Sequence, residues 1–197
     1  MRMPQKKAVR GSQKWLQVLV NQKADVLSKS IVTQCPELAG SHIDWLSPLE
    51  KDEYAEYRDD SFLVCMGLEK HTAALRDFWP QSGPRWDGLG RTKDSTAYFL
   101  IEAKAHVTEI LSNCDAKSSA SLEKINSSLG KTRKWLKAKP RLEWTTGFYQ
   151  YANRLAHLFF LREIAEVRAY LINICFLHDT TLDLKPARFF ARGAEKT

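Results

Sequence analysis

The 197-residue chain is long enough to fill one core and too short for two ordinary domains, and its 44% hydrophobic and 27% charged content excludes a disordered or low-complexity protein. Thirty lysines and arginines stand against 23 aspartates and glutamates, a net charge of +7 that favours polyanionic partners without defining a function. The four cysteines, Cys35, Cys65, Cys114 and Cys175, form no Cys-x-x-Cys or Cys/His spacing, which argues against zinc and for free thiols in a reducing compartment.

The basic opening leads into the apolar stretch Trp15 to Val20, which contains Gln17 and stops at Asn21-Gln22-Lys23. It is too short and too polar for a secretory signal or a membrane span, so a cytoplasmic protein with no membrane partner is expected. Ser12 offers a cap for a helix whose Leu16, Leu19, Val20, Leu27 and Ile31 recur mostly at helical spacing. Residues 1–46 are therefore read as a helical extension ahead of the main unit. Ser47-Pro48-Leu49-Glu50 has the form of a capping box with proline in the first turn, and the spacing predicts a helix from there through DEYAEYRDDSFLVCM toward Gly67. On such a helix Glu53, Glu56 and Asp60 share one face, either as a solvated acidic stripe or, if Glu56 turns inward, with an additional metal ligand among them.

Ala74 to Trp79 and Arg85 to Leu89 read as extended pieces around a turn at Pro80 to Gly83, and Gly90 to Asp94 as a second turn. The stretch Thr96 to His106 organises the rest. Its apolar run Ala97 to Ile101 predicts a buried strand, and the strand ends abruptly in charge. Side chains alternate along a strand, so Glu102 and Lys104 share one side with Ala103 on the other. A carboxylate and an ammonium group at the end of a core strand must be paired or coordinated to offset desolvation. The hairpin spacing can bring Asp87 close to Glu102. His106, two residues further on, reads either as a structural histidine or as a substrate contact.

Val107 to Cys114 is read as a short helix, residues 115–121 as a polar linker, and Leu122 to Leu136 as a helix with Gly130 its weak point. Lys124, Lys131, Arg133, Lys134, Lys137, Lys139 and Arg141 crowd the following span, accompanied by Trp135 and Trp144, a combination suited to a phosphate backbone or to a solvated helix face. FYQYANRLAHLFFLREI is the clearest helix. Phe148, Tyr151, Ala152, Leu155, Leu158 and Phe159 form its expected apolar stripe; Gln150, Asn153, Arg154 and His157 form a narrow polar side of the kind that lines a cleft. Glu166 to Leu177 reads as a central strand. The basic tail 180–197 has only Phe189 and Phe190 as anchors.

Three [D/E]-x-K triplets occur, at Glu102-Ala103-Lys104, Asp115-Ala116-Lys117 and Asp183-Leu184-Lys185, and only the first closes an apolar strand behind a hairpin acid. With Asp87 on that hairpin and the order helix, strands, helix, strand, residues 47–179 resemble the PD-(D/E)xK superfamily of restriction-endonuclease-like nucleases. The segment Gly83-Pro84-Arg85-Trp86-Asp87 is similar to that of bacterial members, with Trp86 standing where the family motif has proline. The resemblance implies an α/β core with a central mixed sheet of four to five strands flanked by helices, interrupted by a basic helical insertion at about 115–143. It also implies Mg²⁺, or Mn²⁺ in its place, on Asp87, Glu102 and the Ala103 carbonyl. Lys104 would position the attacking water, and Gln150 and Glu56 would support the site. DNA is the expected substrate, held by Lys124, Lys131, Arg133, Lys134, Lys137 and Arg154, with two copies needed to cut both strands. The alternatives are a non-catalytic nucleic-acid-binding or assembly subunit on the same fold and a basic module that binds an acidic protein.

Overall fold

The computed structural model describes residues 1–139 and 143–179. The basic tail 180–197, with Phe189 and Phe190, and the basic residue Arg141 lie outside the described residues. A short β1 (Arg2–Met3) precedes helices α1 (Gly11–Gln22) and α2 (Ala24–Gln34). There follow β2 (Ile43–Ser47), β3 (Glu56–Tyr57), α3 (Asp60–Met66), α4 (Thr72–Phe78), β4 (Gly88–Thr92) and β5 (Tyr98–Lys104). Helix α5 (Ser119–Leu136), helix α6 (Tyr149–Phe159) with a π-helical turn at Phe160–Ile164, and β6 (Ala169–Cys175) complete the fold.

The main sheet has the order β2-β4-β5-β6, antiparallel in its first two pairings and parallel between β5 and β6; β1 and β3 form a separate two-stranded sheet. Strand β5 is buried on both faces, as its continuous apolar run requires. Tyr98 and Leu100 point into a cluster with Phe62, Trp86, Leu129 and Phe160 from the α3–α6 side. Phe99, Ile101 and Ala103 point the other way, onto Leu16, Val20, Leu27 and Ile31. The chain is thus a mixed α/β fold, a four-stranded sheet between two helical layers. The N-terminal helices are one of those layers and not an extension, and β2 crosses the expected boundary at residue 46.

The helix expected from Ser47 does not form. Ser47 ends β2, whose alternating burial of Ile43, Trp45 and Ser47 marks a half-buried strand. The side chain of Asn21 then satisfies the backbone that a first helical turn would use: Nδ2 donates to the Pro48 carbonyl and Oδ1 accepts the Glu50 amide, each at 2.8 Å. A 3₁₀ turn forms over Glu50–Asp52, but Glu53 and Tyr54 then adopt left-handed backbone conformations, and an α-helix begins only at Asp60, stopping at left-handed Gly67 as expected. Glu53, Glu56 and Asp60 consequently share no helix face.

Ala74 to Trp79 is largely helical instead of extended, because Leu75 and Phe78, three apart, both turn into the core. The strand expected at Arg85 to Leu89 is displaced to β4, and the turn expected at Gly90 to Asp94 moves to Lys93 to Thr96, where Thr92 Oγ1 accepts the Thr96 and Ala97 amides. Gly88 and Gly90 are packing glycines: a Cβ on either would stand 3.2 Å from Ile101 or Ile43. Gly130 does not interrupt α5. A Cβ there meets nothing within 4 Å. Gly130→Ala is therefore expected to raise stability by about 0.5–1 kcal/mol, read as a higher denaturant midpoint at unchanged slope. Among the described residues, no helix is long and apolar enough to cross a membrane.

Candidate active site

The site forms where β4 begins and β5 ends, which the antiparallel pairing of these strands brings together. Asp87 immediately precedes β4, half-buried, and its Oδ2 accepts the Ala103 amide at 2.8 Å. An N–H and a C=O of one strand residue point to the same edge, so the Ala103 carbonyl also faces the Asp87 side. Glu102 and Lys104 project from the opposite face of β5 to Ala103, toward α6, as alternation predicts. Glu102 is 4% exposed. Its Oε1 takes Lys104 Nζ at 2.5 Å and Gln150 Nε2 at 2.9 Å, and its Oε2 takes Arg154 Nε at 2.6 Å.

Arg154 corrects the reading of α6. It was expected on a nucleic-acid-binding surface, but it is 3% exposed and its guanidinium is committed inward. Besides Glu102 it donates to the Arg85 carbonyl at 2.8 Å and to Asn153 Oδ1 at 3.0 Å, and it stacks 4.8 Å from the centre of the Trp86 ring. The supposed apolar stripe is partly outside: Phe148 and Tyr151 are exposed, whereas Asn153, Arg154 and His157 are buried. The polar side of α6 is the side that lines the interior.

Glu56 does turn inward, though from β3 and not from a helix. It pairs with Arg85 Nε at 2.7 Å and accepts Gln13 Nε2 at 3.2 Å. Burial raises its pKa, with the Glu102 charge adding to the effect against the opposing pull of Arg85 and Gln13. Asp87 is pushed up to about 7, first by burial and then by the nearby Glu102 carboxylate. His106 is structural: its Nδ1 accepts the Thr108 amide and meets Thr108 Oγ1, capping the 3₁₀ turn Val107–Ile110.

Beside the charged residues lies a cavity of about 300 Å³ bounded by Glu102, Lys104, Gln150, Tyr151, Asn173 and Cys175, among others. Asn173 and Cys175 were not singled out in the sequence. The parallel register places Asn173 beside Glu102 and Cys175 beside Lys104. The alternation Ile172-Asn173-Ile174 was the signal available.

The basic residues of α5 are less tightly grouped around this site. Lys131, Lys134 and Lys137 are exposed, Lys124 donates to the Arg76 carbonyl at 2.8 Å, and Arg133 lies 5.2 Å from the Trp144 ring centre. Trp135 packs edge-on against Phe159 at the far end of α6 from Gln150. That is about 14 Å along the helix axis.

A hard cation would find Asp87, Glu102 and the Ala103 carbonyl as oxygen donors, and such ions keep several waters when protein donors are few. Asp87 Oδ1 receives no bond from the described residues. A carboxylate has about four lone-pair positions, and Glu102 uses three of them on Lys104, Gln150 and Arg154. The donor set therefore fits a water-rich Mg²⁺ or Mn²⁺. Among the described residues, no three His, Cys, Asp or Glu side chains gather as a complete metal-binding group.

The Asp87 shift has a measurable sign. Its folded pKa lies above the unfolded value, so without metal the folded state holds the extra proton and stability falls as pH rises from about 4 to about 7. Buried His157, pushed down to about 3, acts oppositely across its own window, so the comparison must be between variants. Asp87→Asn is expected to melt higher than wild type at pH 8 in EDTA, with a flatter difference curve below pH 4. Added Mg²⁺ should narrow that gap by raising the wild-type midpoint alone.

Comparison with protein-family models, with curated proteins and with solved structures finds no match, so the residues and their geometry carry the functional reading.

Proposed function

We propose that the chain is a metal-dependent nuclease that hydrolyses phosphodiester bonds, with DNA as substrate. The observation that carries this reading is the meeting of Asp87, at the head of β4, with Glu102 and Lys104 on β5 and Gln150 on α6. The succession of N-terminal helices, β2, β4, β5, α6 and β6, with only the last pairing parallel, supports a restriction-endonuclease-like core.

A phosphodiester is anionic and repels an anionic nucleophile, so hydrolysis needs charge neutralisation and an activated water. Mg²⁺, when bound, supplies neutralisation of the phosphate oxygens and makes water more acidic. Asp87 and Glu102, with the Ala103 carbonyl, hold the cation; Gln150 and Arg154 fix the Glu102 carboxylate. Lys104, with its side chain 20% exposed, reaches the cavity from the same strand face and orients the water while opposing the developing negative charge. Glu56 supports the charge balance through Arg85. The setting proposed is cytoplasmic, and cutting of both DNA strands by one such site per chain calls for a homodimer.

The exposed end of α5 is proposed to hold the phosphate backbone. Replacing Lys131, Arg133, Lys134 and Lys137 together by glutamine should weaken DNA binding and reduce the slope of log affinity against log salt by about 2–4. An unchanged slope would move the DNA track away from α5.

A second reading keeps nucleic-acid binding and drops catalysis. It is favoured by the closed hydrogen bonding of Glu102, whose two oxygens are both engaged by side chains. Mg²⁺ titration separates the two. The nuclease reading expects wild type to bind the cation and Asp87→Asn to lose it; no binding by wild type selects the second reading.

A further inference from the structure

A separate cavity of about 400 Å³ lies outside the candidate active site, with Leu75, Trp79 and Pro80 as apolar walls, His157 inside, and charged side chains of both signs around it, Arg76 and Lys124 with Asp59 and Asp60. His157 is 1% exposed. Its Nδ1 stands 2.8 Å from the Asn153 carbonyl oxygen, which can only accept, so Nδ1 carries the proton and Nε2 keeps a bare lone pair. Burial holds the ring neutral. No described residue donates to Nε2. That edge of the ring faces Gly83, where an added Cβ would stand 3.4 Å from Nε2 and 3.3 Å from Trp79.

We propose that this cavity binds a nucleobase, whose edge N–H donates to His157 Nε2 while its flat faces pack between the apolar walls. The phosphate attached to such a base suits the solvent side of the cavity. Lys124 uses one ammonium hydrogen on the Arg76 carbonyl and has two left, and Arg76 adds a second cation although Asp60 pairs with it. One aromatic wall, Trp79, with cations beside it favours a base over a simple anion.

The position connects the cavity to the candidate active site. Gln150, Arg154 and His157 follow one another along the inward face of α6, which separates the two cavities by about 10 Å along the helix. Trp86 stands between them, 4.8 Å from the Arg154 guanidinium and 6.1 Å from the His157 ring centre. Gly83 opens the same segment that ends at Asp87. Where the base belongs to a bound strand, the inference rests on the nuclease reading and makes the substrate one with an unpaired base near the scissile phosphate. Where it belongs to a free nucleotide, it stands without that reading.

The test uses the intact protein in EDTA. One arm titrates the four deoxynucleoside monophosphates by calorimetry. The other scans a single-stranded oligonucleotide with 2-aminopurine, or with an abasic site, at each position in turn. The strand source predicts quenching at one position and a loss of affinity of about tenfold when that base is removed. His157→Phe, which keeps a ring and removes the acceptor, should abolish the positional effect. The surface variant Lys124→Ala should weaken it, which provides a readout if His157→Phe does not fold. Monophosphate binding, sensitive to Lys124→Ala, with a flat scan assigns the cavity to a free nucleotide and supports the inference. A flat scan with no monophosphate binding overturns it, even if the protein cuts DNA with Mg²⁺. Base binding without cutting keeps the inference and removes the nuclease reading.

Discussion

Arg154→Met is expected to lower stability by about 3–5 kcal/mol. The guanidinium and the Glu102 carboxylate are both nearly inaccessible, with side-chain exposures of 4% and 5%, and they meet at 2.6 Å. Removing the cation leaves a carboxylate that water cannot reach and that Lys104 only partly balances. The Arg85 carbonyl and the face of Trp86 lose their partner in the same step. An exposed ion pair would cost about 1 kcal/mol or less, so the size of the loss reports the burial. A double variant, Arg154→Met with Glu102→Leu, should recover most of the stability, because an apolar pair of similar volume leaves no buried charge. Urea unfolding of the four proteins completes the cycle. A small single-variant loss, or strictly additive losses, would show that the pair is not a closed buried unit.

Lys104→Ala is expected to do the reverse, sparing the fold and removing activity. Glu102 keeps Gln150 and Arg154, and the lysine side chain is partly solvated, so the stability change should stay within about 1 kcal/mol. Cleavage should fall by on the order of 10³-fold, with DNA binding little altered, because the ammonium group acts chiefly on charge that develops during reaction. Lys104→Arg should not restore the rate. Its planar guanidinium cannot reproduce a compact ammonium placed 2.5 Å from Glu102 Oε1. Equal loss of binding and cleavage would make Lys104 a substrate anchor instead.

Strand β5 was legible because an apolar run with an abrupt charged end has few other interpretations, and its alternation placed Glu102 and Lys104 together with Ala103 opposite. Helices α5 and α6 were legible from helical spacing, although α5 begins slightly earlier than expected and passes through Gly130 unbroken. What escaped was decided by partners distant in sequence. Asn21 reaches Pro48 and Glu50 and cancels a well-formed local helix start. Gly90 looked like a turn residue and proved to be a contact point for Ile43, as Gly88 is for Ile101. The inward orientation of Arg154 depends on Glu102 and the Arg85 carbonyl, neither of which is near it in sequence. Period alone separates the two sides of α6 without saying which side faces inward, and the buried polar side became identifiable only once its partners were assembled.

The most direct measurement is cleavage of a panel of duplex, nicked and single-stranded DNA and RNA by wild type and Lys104→Ala, each with Mg²⁺ or Mn²⁺ and with EDTA. Metal-dependent cutting by wild type, lost in EDTA and in the variant, is the result predicted. Binding of the panel with no cutting under any metal condition would contradict the nuclease assignment and leave a nucleic-acid-binding subunit.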